Sequence, residues 1–394
     1  MYDTIQVPGF LGNGVASGIK NGGAMDLSLI FSEVPSRAVG LFTTNCLKAA
    51  PVVLDMERIK KGLAQAVIVN SGNANAATGT EGDKDAATMS RVVSEKLDIE
   101  DELVLVASTG IIGEKLPIEK IVRSIRPLVD GLNADGISSF AEGIITTDRF
   151  LKIEHQRCSI GGKEVTICGI AKGAGMIEPN MATMLSFIVT DADIDQACLD
   201  SVFRESANRS FNAITVDGCM STNDTAVMLA NGIAGNPLIT QNSSNLVEFG
   251  EALFAVMDSL ARSIVKDGEG ATKLIKIIVE GASEVGDAKK IAYAIANSNL
   301  VKTAFFGEDP NWGRIISAAG STGIPFSTDS LELYLEDLPL FIDGRGVSGK
   351  QTAAIMKRDN LRVLVRLGMG KESFSIYTSD LSHEYVDLNS LYSS

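Results

Sequence analysis

Short runs of Val, Ile, Leu and Ala recur along this 394-residue chain, and many of them close on glycine or small polar residues. Residues 66–70, 103–107, 163–168 and 183–190 read as buried strands. Between them lie stretches with helical spacing: 85–97, 118–132 and 195–207. Pro127 is expected to kink the second or end it early, because proline lacks the amide donor a helix interior needs. Asp191, Asp193 and Asp195 offer caps at the start of the third. Residues 245–265 form the longest helix candidate. Further strands are expected near 275–280, 331–335, 361–365 and 373–377. Strands and helices interleave throughout, which predicts a layered α/β or α+β architecture with much mixed sheet.

Composition narrows the functional classes. Hydrophobic residues make up 45% and charged residues 21%, an ordinary globular balance with ample core material. A net charge of −14 argues against nucleic acid, whose phosphates need clustered Lys and Arg. The N-terminus has no basic segment followed by an apolar one, and no apolar run reaches the roughly 18 residues of a spanning helix. A soluble cytoplasmic protein is the expectation. Five cysteines without CxxC spacing suggest reduced, mostly buried thiols. With only His155 and His383 available, a histidine triad or a metal site has little to draw on, and no metal ligands are assigned. The glycines between Gly9 and Gly18 have the wrong spacing for a dinucleotide fingerprint, and no clear strand precedes them.

The densest chemical signal is the segment from Ala171 to Met184, which strand-like runs flank on both sides. Gly173 and Gly175 permit unusual backbone angles, Pro179 stiffens the approach, and the small Ala182 leaves its carbonyl open to attack. The β-branched Thr183 has few rotamers, so its hydroxyl can be aimed. Attack on the Ala182 carbonyl would give an ester, and water would then cut the chain. The freed α-amine, with a pKa of about 8, could serve the neighbouring hydroxyl as base. The residues alone favour the plainer reading, in which Thr183 merely begins a buried strand.

The run Lys172-Gly173-Ala174-Gly175-Met176-Ile177, followed by Pro179-Asn180-Met181-Ala182-Thr183-Met184-Leu185, resembles the self-cleavage segment of the ornithine acetyltransferase (ArgJ) family. The resemblance runs nearly end to end. It includes Val69-Asn70-Ser71-Gly72-Asn73-Ala74, Ser108-Thr109-Gly110-Ile111-Ile112-Gly113 and Thr146-Thr147-Asp148. It continues through Ser221-Thr222-Asn223-Asp224-Thr225, Lys266-Asp267-Gly268-Glu269-Gly270 and the segment from Phe305 to Arg314.

That resemblance implies an acetyl group moving from N2-acetylornithine to Thr183 and on to glutamate, a ping-pong path through an ester. It assigns Thr109 and Gly110 to the oxyanion hole, and the cut to the Ala182–Thr183 bond. Thr146 or Thr147, Lys172, Thr183, Glu269, Asn389 and Ser394 become substrate contacts. The tail from Ser390 to Ser394 departs from the family's usual ending but keeps a terminal hydroxyl, and Cys219-Met220 departs from its usual Asp-Thr. The implied fold is an αββα-type sandwich of the N-terminal-nucleophile kind. It would be processed into residues 1–182 and 183–394, two copies of each assembling together. The chemistry calls for no metal or organic cofactor, acetyl-CoA entering as a donor if at all. Two rivals remain: an N-terminal-nucleophile amidohydrolase or aminopeptidase that delivers the acyl group to water, and an uncut amino-acid-binding protein.

Overall fold

The structure is a computed structural model, and it describes residues 5–178, 184–347 and 352–391. In chain order it opens with β1 (Phe10–Val15), β2 (Leu27–Phe42), α1 (Ala50–Arg58), β3 (Leu63–Asn73), α2 (Gly79–Leu97) and β4 (Val104–Ile111). Next come α3 (Ile118–Asp130), α4 (Ile137–Ile144), β5 (Lys152–Ile160) and β6 (Lys163–Lys172). Beyond the cleavage segment follow β7 (Leu185–Thr190), α5 (Gln196–Arg209), β8 (Thr225–Ala230) and α6 (Asn245–Lys266). The strands among these form one sheet in the order β4-β3-β2-β8-β7-β6-β5, with β1 alongside β2. Pairing is mixed: β3–β4 and β7–β8 are parallel, β2–β8 and β6–β7 antiparallel.

β7 and β8 are buried at every residue, so they carry continuous apolar runs rather than an alternation. Helices supply the cover. Phe203 of α5 and Phe249, Leu253 and Leu260 of α6 pack on Ile167, Ile188 and Met228. On the opposite face Phe140 of α4 meets Phe187 edge to face at 5.3 Å. α2 and α3 place Met89, Val93 and Ile121 over Ile68 and Val106. Gly14 is a packing requirement: a Cβ there would fall 2.1 Å from the Ser139 carbonyl oxygen of α4. The glycines near the N-terminus thus include one that lets β1 approach a helix closely.

The rest of the chain adds β9 (Leu274–Ala282), α7 (Val285–Ala296), α8 (Asn299–Phe306), α9 (Trp312–Gly320), β10 (Glu332–Leu335) and β11 (Leu338–Ile342). It ends with β12 (Arg345–Gly346), α10 (Thr352–Met356), β13 (Asn360–Arg366), β14 (Glu372–Ser379) and α11 (His383–Leu391). Its strands form a second sheet, β12-β11-β10-β13-β9-β14. Along β9 and β13 buried positions largely alternate with partly exposed ones, because α7, α8 and α9 cover one face. The mixed, layered α/β arrangement is the one the sequence predicts.

Three expectations need correction. Pro127 does not end α3, which runs on to Asp130. Its missing amide costs the helix one hydrogen bond, but its carbonyl still accepts from Gly131 N–H at 3.2 Å. Of the three aspartates before α5, only Asp195 caps it, accepting from Ala197 N–H. Asp193 pairs with Arg37 at 2.7 Å, and Asp191 accepts the Thr166 amide at 2.7 Å. The free cysteines are not mostly buried: Cys168 and Cys198 are, Cys158 is half-buried, and Cys46 and Cys219 are exposed.

Candidate active site

A cleft opens where the ends of β3, β4 and β6 meet the start of β7 and the loop before β8. Thr109 and Gly110 close β4 on its wall. Gly110 has φ +133°, and a Cβ there would lie 2.3 Å from the Gly72 carbonyl carbon on the paired strand. No other residue fits that backbone. The loop before β8 is tied to the same wall by buried Asn223, whose Nδ2 donates to the carbonyls of Ala74 at 2.6 Å and Ser108 at 2.8 Å.

Lys172, the last residue of β6, is buried beside Thr109. Its Nζ donates to Thr146 Oγ1 at 2.8 Å and Thr109 Oγ1 at 3.1 Å. A threonine hydroxyl that accepts from an ammonium keeps its own hydrogen to donate, so Thr109 is poised to offer an O–H into the cleft. Burial lowers the Lys172 pKa, and the Asp148 carboxylate opposes that shift without cancelling it.

Asp148 organises this corner. It accepts Thr146 N–H at 3.0 Å and Gly173 N–H at 2.8 Å, and it pairs with fully buried Lys152 at 2.6 Å. Lys152 also pairs with Asp267 at 2.5 Å, and Asp267 accepts the Arg149 amide and guanidinium. Burial pushes the Asp148 carboxyl up, but the charges of Lys172 and Lys152 outweigh it and hold the pKa at about 2. The folded value therefore lies below the ordinary 3.8. This pairing contributes about 2 kcal/mol of stability above about pH 4, lost as the pH falls through about 2. Asp148→Asn should remove that part of the acid sensitivity. Urea midpoints from about pH 5 downward will show it, and parallel curves for the two proteins would refute it.

Glu269 follows α6; its amide donates to the Ala174 carbonyl at 2.9 Å, and its carboxylate accepts from Asn389 Nδ2 of α11 at 2.8 Å. Asp380, just past β14, fixes the same loop by accepting the amides of Thr272 and Lys273, each at 2.9 Å.

The structure thus gathers Thr109, Gly110, Thr146, Thr147, Lys172, Glu269 and Asn389 around one cleft. Thr146 is the one tied to Lys172, although Thr147 lines the cleft as well. Ala182, Thr183 and Ser394 lie outside the described residues; Met184, the next residue after Thr183, lines the cleft. Reading the sequence did not single out Asp148, Lys152, Asp267, Asn223 or Asp224 as site residues. Four of them sit inside the quoted motifs, which was the only signal available; Lys152 had none.

Residues 12–394 match the sequence profile of the ArgJ family. The chain belongs to that family. Among its ArgJ relatives is the arginine biosynthesis bifunctional protein ArgJ of Geobacter sulfurreducens, 49% identical over 98% of this chain and 100% of its own. The protein of the same description from Caldanaerobacter subterraneus subsp. tengcongensis is 47% identical over 98% of both chains. A crystal structure of arginine biosynthesis bifunctional protein argJ from Bacillus halodurans is 37% identical with a TM-score of 0.52. It covers 53% of this chain and 100% of the solved one. Among the described residues no helix is long and apolar enough to cross a membrane.

Proposed function

We propose that this ArgJ family member is an acetyltransferase of arginine biosynthesis, a glutamate N-acetyltransferase that takes its acetyl group from N2-acetylornithine. The observation that carries the reading is the meeting of Thr109, Gly110, Lys172 and Glu269 in one cleft beside Met184. In this reading the Thr183 hydroxyl attacks the acetyl carbonyl while its own α-amine takes the proton. Thr109 and Gly110 hold the developing oxyanion, and ornithine leaves with a proton. The glutamate amine then attacks the ester and restores the threonine. Lys172 and Glu269 supply one positive and one negative group, complementary to the carboxylate and ammonium of an amino acid. Asn389 and Ser394 add contacts from the C-terminus.

The nucleophile arises by self-cleavage between Ala182 and Thr183, giving pieces 1–182 and 183–394 that assemble as two of each. The Bacillus halodurans chain, matched in full by 53% of this one, has the size of one such piece, which supports the cut. Because the threonine brings its own base, the reaction calls for no metal or organic cofactor. Acetyl-CoA serves as a second donor, in keeping with the word bifunctional in the relatives' names. The cytoplasm is the proposed location.

The purified protein, given acetyl-labelled N2-acetylornithine, tests this. With glutamate present, ornithine and labelled N-acetylglutamate should appear in equal amounts; without it, label should remain on the peptide that begins at Thr183. Free acetate released at the same rate with or without glutamate would identify a hydrolase and sink the transfer reading.

A further inference from the structure

The base that serves Thr183 in acetyl transfer does not exist before the chain is cut. Until then its nitrogen belongs to the Ala182–Thr183 amide, whose lone pair is delocalised into the carbonyl and is not basic. Self-cleavage must also hand a proton to that nitrogen as it leaves. A second group therefore has to carry the proton in this first event.

The described residues lining the cleft offer three titratable side chains: Lys172, Glu269 and Asp224. Neither histidine lines it. Lys172 is committed to two threonine hydroxyls, and Glu269 to Asn389. Asp224 is held as well, by the hydroxyls of Thr43 and Ser221 and the Met184 amide, but these leave one of its two oxygens over. It is 2% exposed, and its buried Oδ2 has no hydrogen-bond partner among the described residues. Leaving a buried polar atom unsatisfied is costly, and a fold that does so calls for an explanation. Its position bears on the cut. Thr225, the next residue, donates its amide to the Met184 carbonyl at 3.0 Å, and Leu185 pairs with Thr225 in the parallel β7–β8 ladder. Asp224 thus stands at the level of Met184, the residue after Thr183 in the chain.

We infer that Asp224 is the proton carrier of self-cleavage, an assignment that rests on the reading of Thr183 as the self-generated nucleophile. The bookkeeping closes within the carboxyl group. Thr183 Oγ bonds to the Ala182 carbonyl carbon and passes its hydrogen to one carboxyl oxygen. The other oxygen gives a hydrogen to the nitrogen as the C–N bond breaks. An ester and a free amine result, with Asp224 as it began. Water then splits the ester, adding its hydroxyl to Ala182 and its hydrogen to Thr183. The protonated acid is the form required, and burial holds the Asp224 carboxyl well above the usual carboxylate range. The hydroxyls of Thr43 and Ser221 and the charge of Lys172 oppose that shift, and Glu269 is the other charged residue of the cleft.

The test follows the uncut full-length chain into its two pieces by intact mass, over a range of pH. Asp224→Asn, which keeps the shape and cannot shuttle a proton, should slow cleavage about 10²–10⁴-fold. Asp224→Glu should recover a substantial part of the rate, with a shifted pH profile. Asp224→Ser is read alongside, so that one misfolded variant does not decide the matter. The assignment is overturned by cooperative thermal unfolding of Asp224→Asn together with cleavage at the wild-type rate. Equal slowing by Asn and Glu, or loss of cooperative unfolding in both neutral variants, would show a structural role and overturn it too. A wild-type chain that never cuts would strike the nucleophile reading itself.

Discussion

The Thr183→Ala protein is expected to remain one uncut chain through purification and to transfer no acetyl group. In the proposed mechanism alanine removes the hydroxyl that attacks Ala182, so the α-amine would never be released. Nucleophile and base are lost in a single change. Where nucleophile and base act as one unit, removing either costs roughly 10⁴–10⁶ in rate, the residue coming from binding and the oxyanion donors. Thr183→Ser, which keeps a hydroxyl on a less restricted side chain, should still cut, only more slowly. Mass spectrometry of the denatured proteins and the glutamate assay read both consequences together. An alanine variant that splits at the same bond, or that forms N-acetylglutamate at more than a trace, would remove Thr183 from the mechanism.

The second large effect is expected at Lys172. Lys172→Met keeps much of the length and the apolar stem but deletes the charge. Thr109 and Thr146 lose their donor, and the buried carboxylate of Asp148 is left with Lys152 as its remaining partner cation. Thr109 then loses the contact that aims its hydroxyl, and losing one oxyanion donor typically costs about 10²–10³ in rate, so kcat/KM should fall on the order of 10²-fold or more. The unpaired charge should separately lower stability. A planar guanidinium is a poor substitute for an ammonium shared between two hydroxyls, so Lys172→Arg should not restore activity. Steady-state kinetics with both substrates, beside thermal unfolding, separate lost catalysis from lost fold. A kcat/KM within tenfold of wild type would place Lys172 outside the working site.

The runs of Val and Ile announce the buried strands because helices cover both faces of the first sheet and polar interruptions are excluded there. β2 escapes that reading for the opposite reason. Glu33, Val34 and Pro35 are exposed in its middle, and its register to β3 shifts between Phe31 and Ser36. The first turn of α2, Gly79-Thr80-Glu81-Gly82, carries no apolar period, so the pattern alone starts the helix at Asp85. The cleft was legible through its motifs rather than through spacing. Thr109 and Lys172 are 63 positions apart and meet because β4 and β6 end at the same rim. Lys152 and Asp267 are 115 positions apart. Nothing local distinguishes a charged residue that tertiary packing will bury from one left in water, so the acid–base framework behind the cleft emerges with the fold.

The strand order β2-β8-β7-β6 carries a consequence for a chain divided after residue 182. The two strands from beyond the division stand in the middle of the sheet, with a strand from before it on either side. Neither piece holds a complete set of neighbours, and the halves cannot part without opening the sheet along two ladders. The intact chain finds this arrangement as a unimolecular search. Once divided and dispersed, the pieces would have to find it by collision, at a rate set by their concentration, each exposing the apolar strand edges the other used to cover. Division thus turns a reversible fold into an assembly made once, stable while it holds and with no simple road back.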